Sequence, residues 1–277
     1  MKKLVLGMIF AATVFCGFAS NPISDFKYTL SNDGNGVVIT KYIGKSKIVE
    51  FPSEIEGFPV IKLGQWERII DSETTVFEKV VVPDSVTVIG DYAFENLSIK
   101  RLIIPNSVKS IGLSALTRIE YLEELVLPSS LNQRMFDITL SGTCNLEEIR
   151  IPASTSPYYS VTVAMPESER LSNVSKITFC NGVKEIDIRG NLKNVNEIIV
   201  PESIEYLFGR ILLNQTTKFV FQNPGKRIGF SKMAFDYSYQ ERLDIVISEN
   251  CSLREMKNIQ DFWKNLGYDR SFWKKNF

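Results

Sequence analysis

The sequence predicts a mainly β solenoid, in which short parallel strands stack in successive coils. A short apolar pattern that ends in proline recurs about every 23 residues along most of the chain, which is typical of a coiled repeat. Within each unit the apolar residues alternate, as in a strand with one buried face. Because a single coil cannot cover its own apolar side, neighbouring coils must stack on one another.

The repeat is clearest in two stretches, VVVPDSVTVIGDYAF (80–94) and IIPNSVKSIGLSAL (103–116). Each unit has an anchor position, usually proline, which ends the strand because proline cannot donate to a sheet ladder. The anchors are Pro83, Pro105, Pro128, Pro152, Cys180, Pro201 and Gln222, with weaker echoes at Pro52 and Ser248.

The pattern inside a unit predicts which side chains point inward. Positions −6, −3 and −1 relative to the anchor are apolar, and a second apolar pair follows at +3 and +6. Glycine stands at +7 as Gly90, Gly112 and Gly229, and a turn that needs a permissive backbone is expected there. Apolar residues such as Ala93 and Phe94 then return to the core.

The first 19 residues are predicted to be a signal peptide. Lys2 and Lys3 precede an uncharged stretch, and small residues precede a cleavage site after Ala19. We therefore expect export to the periplasm, the cell surface or the medium, with no transmembrane segment after signal removal. The alternative is a lipid anchor on Cys16, which Phe15 disfavours because such sites usually need a small residue there.

The remaining chain divides into three parts. Residues 20–46 are predicted to form a hairpin cap, because alternating runs flank a Gly-Asn-Gly turn. Residues 47–250 form the solenoid, with an irregular coil at about 153–173 where the S-V-x-x-I-G run is missing. Residues 251–277 are predicted to form a helical, aromatic-rich cap, since SLREMKNIQDFWKNL (252–266) has apolar residues near helical spacing.

The pattern L-x-x-[IVL]-x-[IVL]-P-x-S-V-x-x-I-G-x-x-A-F resembles the BspA-like leucine-rich repeats of exported and surface-associated bacterial proteins. The opening NDGNGVVITKYIGKSKIVEFPSEIEGFPVIKLG also resembles the lead-in of the treponemal branch of that family. The resemblance covers roughly residues 25–250 and is closest in the units anchored at Pro83 and Pro105. It implies a leucine-rich-repeat solenoid and a role in adhesion to host proteins or other cells.

The composition excludes several classes of function. The chain has 32 basic and 32 acidic residues and no histidine, which excludes Ser-His-Asp and Cys-His catalysis and His-bearing zinc sites. Loss of Lys2 and Lys3 with the signal peptide leaves a balance of about −2, without the basic excess of a general nucleic-acid binder. We expect no enzyme activity, no cofactor, no metal site and no nucleic-acid partner.

The outward strand positions supply the candidate binding residues. Position −4 is a mixed-charge column, whereas position −2 is mostly aliphatic on a face expected to meet solvent. The predicted recognition residues are Val81, Ile103, Val126, Ile199 and Val220. The alternative is that β-branched residues simply favour strands and stack along the sheet.

Two further groups of side chains are candidates. Tyr158 and Tyr159 lie in the irregular coil and could contact a partner, since tyrosine is common in interfaces. Cys144 and Cys180 are expected to be buried core thiols, although an exported protein could also join them in a disulfide.

Three functions are compatible with these observations. The first is an exported, non-catalytic module that binds a protein or other extended ligand through the apolar strand face. The second is a self-associating structural protein of the envelope or periplasm, in which that face forms a homo-oligomer. The third, and least favoured, is a carboxylate-dependent polysaccharide hydrolase, since such chemistry needs no histidine.

Overall fold

The computed structural model of the protein describes residues 21–140, 144–165, 174–192, 194–213, 218–222, 229–230, 244–247 and 273–274. The predicted signal peptide with Cys16 and the predicted helix over 252–266 lie outside these residues. A 3₁₀ turn at Ile23–Asp25 is the only helical element in the described ranges.

The strands of the described residues are, in chain order, β1 (Phe26–Leu30), β2 (Val37–Tyr42), β3 (Ile48–Glu50), β4 (Glu54–Ile55), β5 (Phe58–Leu63), β6 (Phe77–Val81), β7 (Val88–Ile89), β8 (Ile99–Ile103), β9 (Ser110–Ile111), β10 (Leu116–Ile119), β11 (Glu124–Val126), β12 (Ser130–Leu131), β13 (Met135–Leu140), β14 (Glu148–Ile151), β15 (Ala153–Ser154), β16 (Ser160–Met165), β17 (Lys176–Phe179), β18 (Glu185–Leu192), β19 (Glu197–Val200), β20 (Tyr206–Leu213), β21 (Lys218–Phe221), β22 (Gly229–Phe230), β23 (Asp244–Ile247) and β24 (Trp273–Lys274).

The strands stack in parallel sheets along the solenoid, as the repeat predicts. The strands that precede the anchors form two sections, β3-β6-β8-β11 and β14-β17-β19-β21-β23-β24. The other side of the coils is built from β1-β2-β5-β7-β9, with β4 beside β5, and from β10-β13-β16-β18-β20-β22. A two-stranded sheet, β12-β15, lies at the turn that follows the anchor. The fold is therefore a mainly β solenoid.

The inward positions of the repeat form the core. Val80 and Val82 at −3 and −1, like Ile149 and Ile151, are almost fully buried. The anchor ends the strand in a tight turn, in which the amide at +3 donates to the anchor carbonyl; Val86 N donates to Pro83 O at 3.1 Å. Cys180 replaces proline in this role, because Val183 N donates to its carbonyl at 3.4 Å.

The path on the other side differs from coil to coil near position +7. After Gly90 and Gly112 the chain leaves the strand and turns, so β7 and β9 are only two residues long. Where +7 is Met135, Asp187 or Phe208 instead, the chain continues in the longer strands β13, β18 and β20. Gly229 itself begins the short strand β22. The residues after Phe230 that would complete the predicted turn lie outside the described ranges.

Part of the predicted irregular coil forms a regular strand. Residues 160–165 form β16, which pairs in parallel with β13 on one side and β18 on the other. Within the described part of 153–173, the irregular path is confined to residues 155–159, between β15 and β16. Residues 160–165 therefore form a strand even though the sequence of this coil lacks the S-V-x-x-I-G run.

The N-terminal segment forms a hairpin. Strands β1 and β2 pair antiparallel, with a bulge between Lys27 and Tyr28, and β2 then pairs in parallel with β5. The side chain of Asn21 reaches the outer edge of β3, where it accepts from Glu50 N at 2.7 Å and donates to Ile48 O at 3.2 Å. These bonds occupy polar backbone groups that an edge strand would otherwise expose.

Candidate functional site

The predicted recognition residues align along the solenoid axis. Val81 is in register with Ile103, and Ile103 with Val126, on β6, β8 and β11. On the second section Ile199 is in register with Val220, and the backbone column continues at Val246. We call Val81, Ile103, Val126, Ile199 and Val220 the aliphatic ladder, and the outward side of the two sections the strand face.

The aliphatic ladder is divided into two patches. Arg150 and Thr178 occupy the same column on β14 and β17, between Val126 and Ile199. The sheet is also interrupted at this point, because the described strands β11 and β14 belong to separate sections. The strand face therefore offers a three-residue patch near the N-terminus and a second patch beyond the break.

Exposure differs along the aliphatic ladder. Val126 is 40% exposed, whereas the other four members are half-buried because their neighbours in the column cover part of each side chain. Leu125 and Leu127, which flank Val126, are only partly buried although their counterparts in other coils belong to the core. Val126 is thus the most accessible member of the aliphatic ladder, at β11 beside the break, and on the same face Ile48 of β3 is 45% exposed.

Charged residues run parallel to the aliphatic ladder. Lys79 and Arg101 are in register beside Val81 and Ile103, followed by Glu124. In the second section Lys176 Nζ lies 3.1 Å from Glu197 Oε2, one coil away. Such partly exposed pairs add little stability. Lys79 and Arg101 form no ion pair with another described residue, although Arg101 Nε donates to Glu78 O at 3.5 Å, and they favour partners that carry acidic groups.

The two tyrosines of the irregular segment have opposite environments. Tyr158 is 72% exposed, and the Arg134 guanidinium lies 5.9 Å from its ring centroid, a cation–π contact. Tyr159 is fully buried in the core, so it cannot contact a partner, and that prediction is corrected. The repeat would place Tyr158, at +6 from the anchor Pro152, in the core; because this coil lacks the S-V-x-x-I-G run, the adjacent ring turns inward instead.

The two thiols are not joined. Cys144 precedes β14, whereas Cys180 directly follows β17, and these two strands are parallel and in register. The residues therefore lie at opposite ends of neighbouring strands, too far apart for a disulfide, and both are free thiols. Cys144 is buried, as expected, and its Sγ donates to Ile119 O at 3.2 Å; Cys180 is half-buried.

Two aspartates on the opposite side of the coils were not singled out from sequence. Asp137 and Asp187 are each in register with Thr162, two strand spacings apart. Asp187 is only 3% exposed and its Oδ2 lies 2.5 Å from Arg189 Nη2, while Asp137 accepts from Ser114 N at 3.1 Å. Burial raises the pKa of Asp137. Asp137 and one oxygen of Asp187 are therefore used within the fold, whereas Asp187 Oδ1 is buried without a hydrogen-bond partner among the described residues.

The described residues lack two features that would point to other functions. In that part of the chain no three His, Cys, Asp or Glu side chains lie close enough to hold a metal ion. The same ranges contain no helix long and apolar enough to cross a membrane.

A second feature missed from sequence is a hollow between the hairpin turn and β5. It brings polar side chains of β1 and the hairpin turn together with polar side chains of β5, which comes about 30 residues later in the chain. The sequence predicts the hairpin itself but not the pocket, because the pocket depends on how the hairpin packs against β5.

Comparison with known proteins agrees with the coil geometry. The family model described as a BspA type leucine-rich repeat region (6 copies) matches residues 72–162. Residues 72–162 are therefore BspA-type leucine-rich repeats. The matched region runs from the residues before β6 to β16, so it includes the first patch of the aliphatic ladder. No curated protein matches the sequence at a significant level.

Three solved structures are similar to this chain. A T. pallidum leucine-rich repeat protein is 19% identical, with a TM-score of 0.39, over 94% of this chain and 99% of that one. A leucine-rich repeat protein from Bacteroides ovatus is 19% identical, with a TM-score of 0.39, over 83% and 71%. A leucine-rich cell surface protein from Faecalibacterium prausnitzii is 17% identical, with a TM-score of 0.32, over 87% and 97%.

Proposed function

We propose that the protein is an exported, non-catalytic binding module that holds a protein or other extended ligand on its strand face. The observation that carries this proposal is the in-register patch of Val81, Ile103 and Val126, none of which is buried. Parallel strands fixed by their ladder hydrogen bonds present such a patch without a conformational change. An apolar surface of this kind on a soluble protein commonly marks an interaction site.

The side chains in and beside the patch indicate which chemical groups a partner should carry. Lys79 and Arg101 lie beside Val81 and Ile103, so an extended ligand with apolar side chains and nearby carboxylates fits best. Tyr158 supplies an exposed ring at a distance from the patch and can add a contact to a large partner.

Three features of the sequence support the export, adhesion and non-catalytic parts of the proposal. The predicted signal peptide favours export, and the resemblance to surface-associated repeat proteins favours adhesion. The complete lack of histidine removes the commonest acid–base residue of enzymes.

Peptide selection tests the binding surface. We expect the mature chain, residues 20–277, to enrich peptides from a random displayed library that combine aliphatic residues with Asp or Glu. Ile103→Lys places a charge in the middle of the first patch and should weaken the selected peptides at least about tenfold, because central interface residues carry most of the binding energy.

Two controls separate binding from folding. Ile103→Val keeps the apolar column and should bind like the wild type, while Ser110→Lys adds the same charge on the opposite side of the coils. The proposal fails if no peptide is enriched, or if Ile103→Lys binds the selected peptides as well as Ile103→Val does.

Self-association is the second candidate function, and one observation favours it. Two cations, Lys79 and Arg101, and one anion, Glu124, lie beside the first patch. A second copy docked in the reverse direction can therefore place its anion against a cation while the apolar residues pack together. Light scattering over a concentration series should then give a dimer that Ile103→Lys dissociates. A monomer at all concentrations excludes this function and leaves the patch for a foreign ligand.

A further inference from the structure

The hollow beside the hairpin turn is a pocket on the side of the solenoid opposite the strand face. Its volume is about 220 Å³, below the roughly 300–1,000 Å³ of sites for drug-sized ligands. Its polar lining includes Thr29 and Asn32 from the hairpin and Lys62 and Gln65 from β5 and the following turn, over an apolar floor that includes Val38 and Val88. The pocket has the size for one small polar ligand.

The hairpin turn that forms one wall is held in place. Ser31 Oγ donates to Asp33 Oδ1 at 2.6 Å and accepts from Gly36 N at 3.1 Å, and Ser31 N donates to Gly36 O at 2.8 Å. Gly36 lies directly against β5, since a Cβ on it would stand 2.8 Å from Pro59 O. The wall is therefore set before any ligand binds, which reduces the entropy lost on binding.

The polar groups of the pocket are available to a ligand. Thr87 Oγ1 donates to Ile61 O at 3.3 Å, and Ser31 is used by the turn. The side chains of Thr29, Asn32, Lys62 and Gln65, by contrast, make no hydrogen bond or ion pair with any other described residue. Together they offer a hydroxyl, two amides and an ammonium group, all able to donate.

The charge of the pocket is one-sided. Lys62 is the only charged side chain that lines it, and none of its lining residues carries a carboxylate. An anionic group would gain a charge-assisted hydrogen bond from Lys62 Nζ, about twice as strong as a neutral one. The two amides and the hydroxyl suit several hydroxyl groups on the same ligand, and the apolar floor suits the C–H face of a ring.

We propose that this pocket binds one acidic sugar unit, a uronic acid, with its carboxylate on Lys62 and its hydroxyls on Asn32, Gln65 and Thr29. Trp66, which directly follows Gln65, is 73% exposed. Because it is next to a lining residue in the chain, its exposed ring can stack on a neighbouring sugar of a polysaccharide. The site is independent of the strand face and adds a glycan to the ligands of the protein.

Titration calorimetry on the mature chain, residues 20–277, tests the site with D-glucuronate as the probe. We expect saturable binding, with glucose at least about tenfold weaker because it lacks the carboxylate, and acetate weaker still because it lacks the hydroxyls. An oligosaccharide with internal glucuronate separates two sources: tighter binding than the monomer indicates a polysaccharide, and weaker binding indicates a free sugar acid.

Variants localise the binding. Lys62→Gln should lower glucuronate affinity about tenfold with an unchanged melting temperature, while Lys47→Gln, an exposed lysine outside the pocket, should not change it. Gln65→Ala gives a second test that does not alter charge and should also weaken binding. Absence of saturable glucuronate binding, or equal affinity in Lys62→Gln and wild type, would overturn the proposal. Ile103→Lys should bind glucuronate normally, so failure of the strand-face function is distinguishable from failure here.

Discussion

Replacement of Gly90 by alanine should lower the free energy of unfolding by about 3 kcal/mol, the upper part of the range for overpacked sites. A Cβ at this position would stand 2.4 Å from the carbonyl oxygen of Gly64, in the coil before it. Backbone from two stacked coils meets here, so no flexible side chain can move aside to relieve the contact. Urea unfolding of the mature chain measures the effect.

A matched control isolates the close approach. Gly34, in the hairpin turn, has φ +71° and open space around it, so Gly34→Ala meets only the cost of a left-handed backbone, about 1–2 kcal/mol. Gly90 has no such φ and owes its cost to the neighbouring coil alone. If Gly90→Ala unfolds at the same urea concentration as the wild type, the coils are not packed at Gly64 and Gly90 as described.

The same glycine position explains what the sequence could and could not predict about the fold. The period and the alternation were sufficient for the inward positions, since Val80 and Val82 and their equivalents lie in the core. They did not predict that coils without glycine at +7 would continue as the strands β13 and β18. At Gly90 and Gly112 a Cβ would meet backbone of the preceding coil, so the close turn there requires glycine.

The candidate site shows the same division between local and non-local information. The columns could be predicted because equal steps along the repeat bring equivalent residues into register, as Val81, Ile103 and Val126 are. The greater exposure of Val126 could not, since it depends on the break between β11 and β14. The pocket was also beyond prediction, because it needs the hairpin turn to lean onto β5 through Gly36.

The pocket and the strand face lie on different sheets of the coil. The strand face belongs to the sections that contain β6 and β8, whereas the pocket lies over β5 and β7 of the sheet that follows the anchors. A protein ligand on the first and a sugar on the second can therefore be bound together without competition. This arrangement would link two partners through one rigid body.

Two substitutions of Tyr159 should change the free energy of unfolding in opposite directions, and the loss of the ring should change it by a large amount. Its ring is fully buried, and its hydroxyl has no hydrogen-bond partner in the described structure. Tyr159→Ala should lower the free energy of unfolding by about 3–5 kcal/mol, the range for loss of a large buried ring. Tyr159→Phe should raise it by about 1 kcal/mol, because it removes a buried polar group that gains nothing from burial. Tyr158→Ala, at an exposed neighbour, should have little effect on stability.

Alkaline pH gives a distinct signature of the same hydroxyl. Burial, with a smaller contribution from Cys180, raises the pKa of Tyr159 above its ordinary value of 10.0. The unfolded chain therefore loses this proton first, and the stability that Tyr159 contributes is present below pH 10 and falls as the pH rises above it. The gain from Tyr159→Phe should accordingly grow between neutral pH and pH 10.5 or higher. A gain that is absent at neutral pH and does not grow at high pH would mean that the hydroxyl is hydrogen-bonded or hydrated, and that residues 155–159 are less tightly closed over the core than their burial indicates.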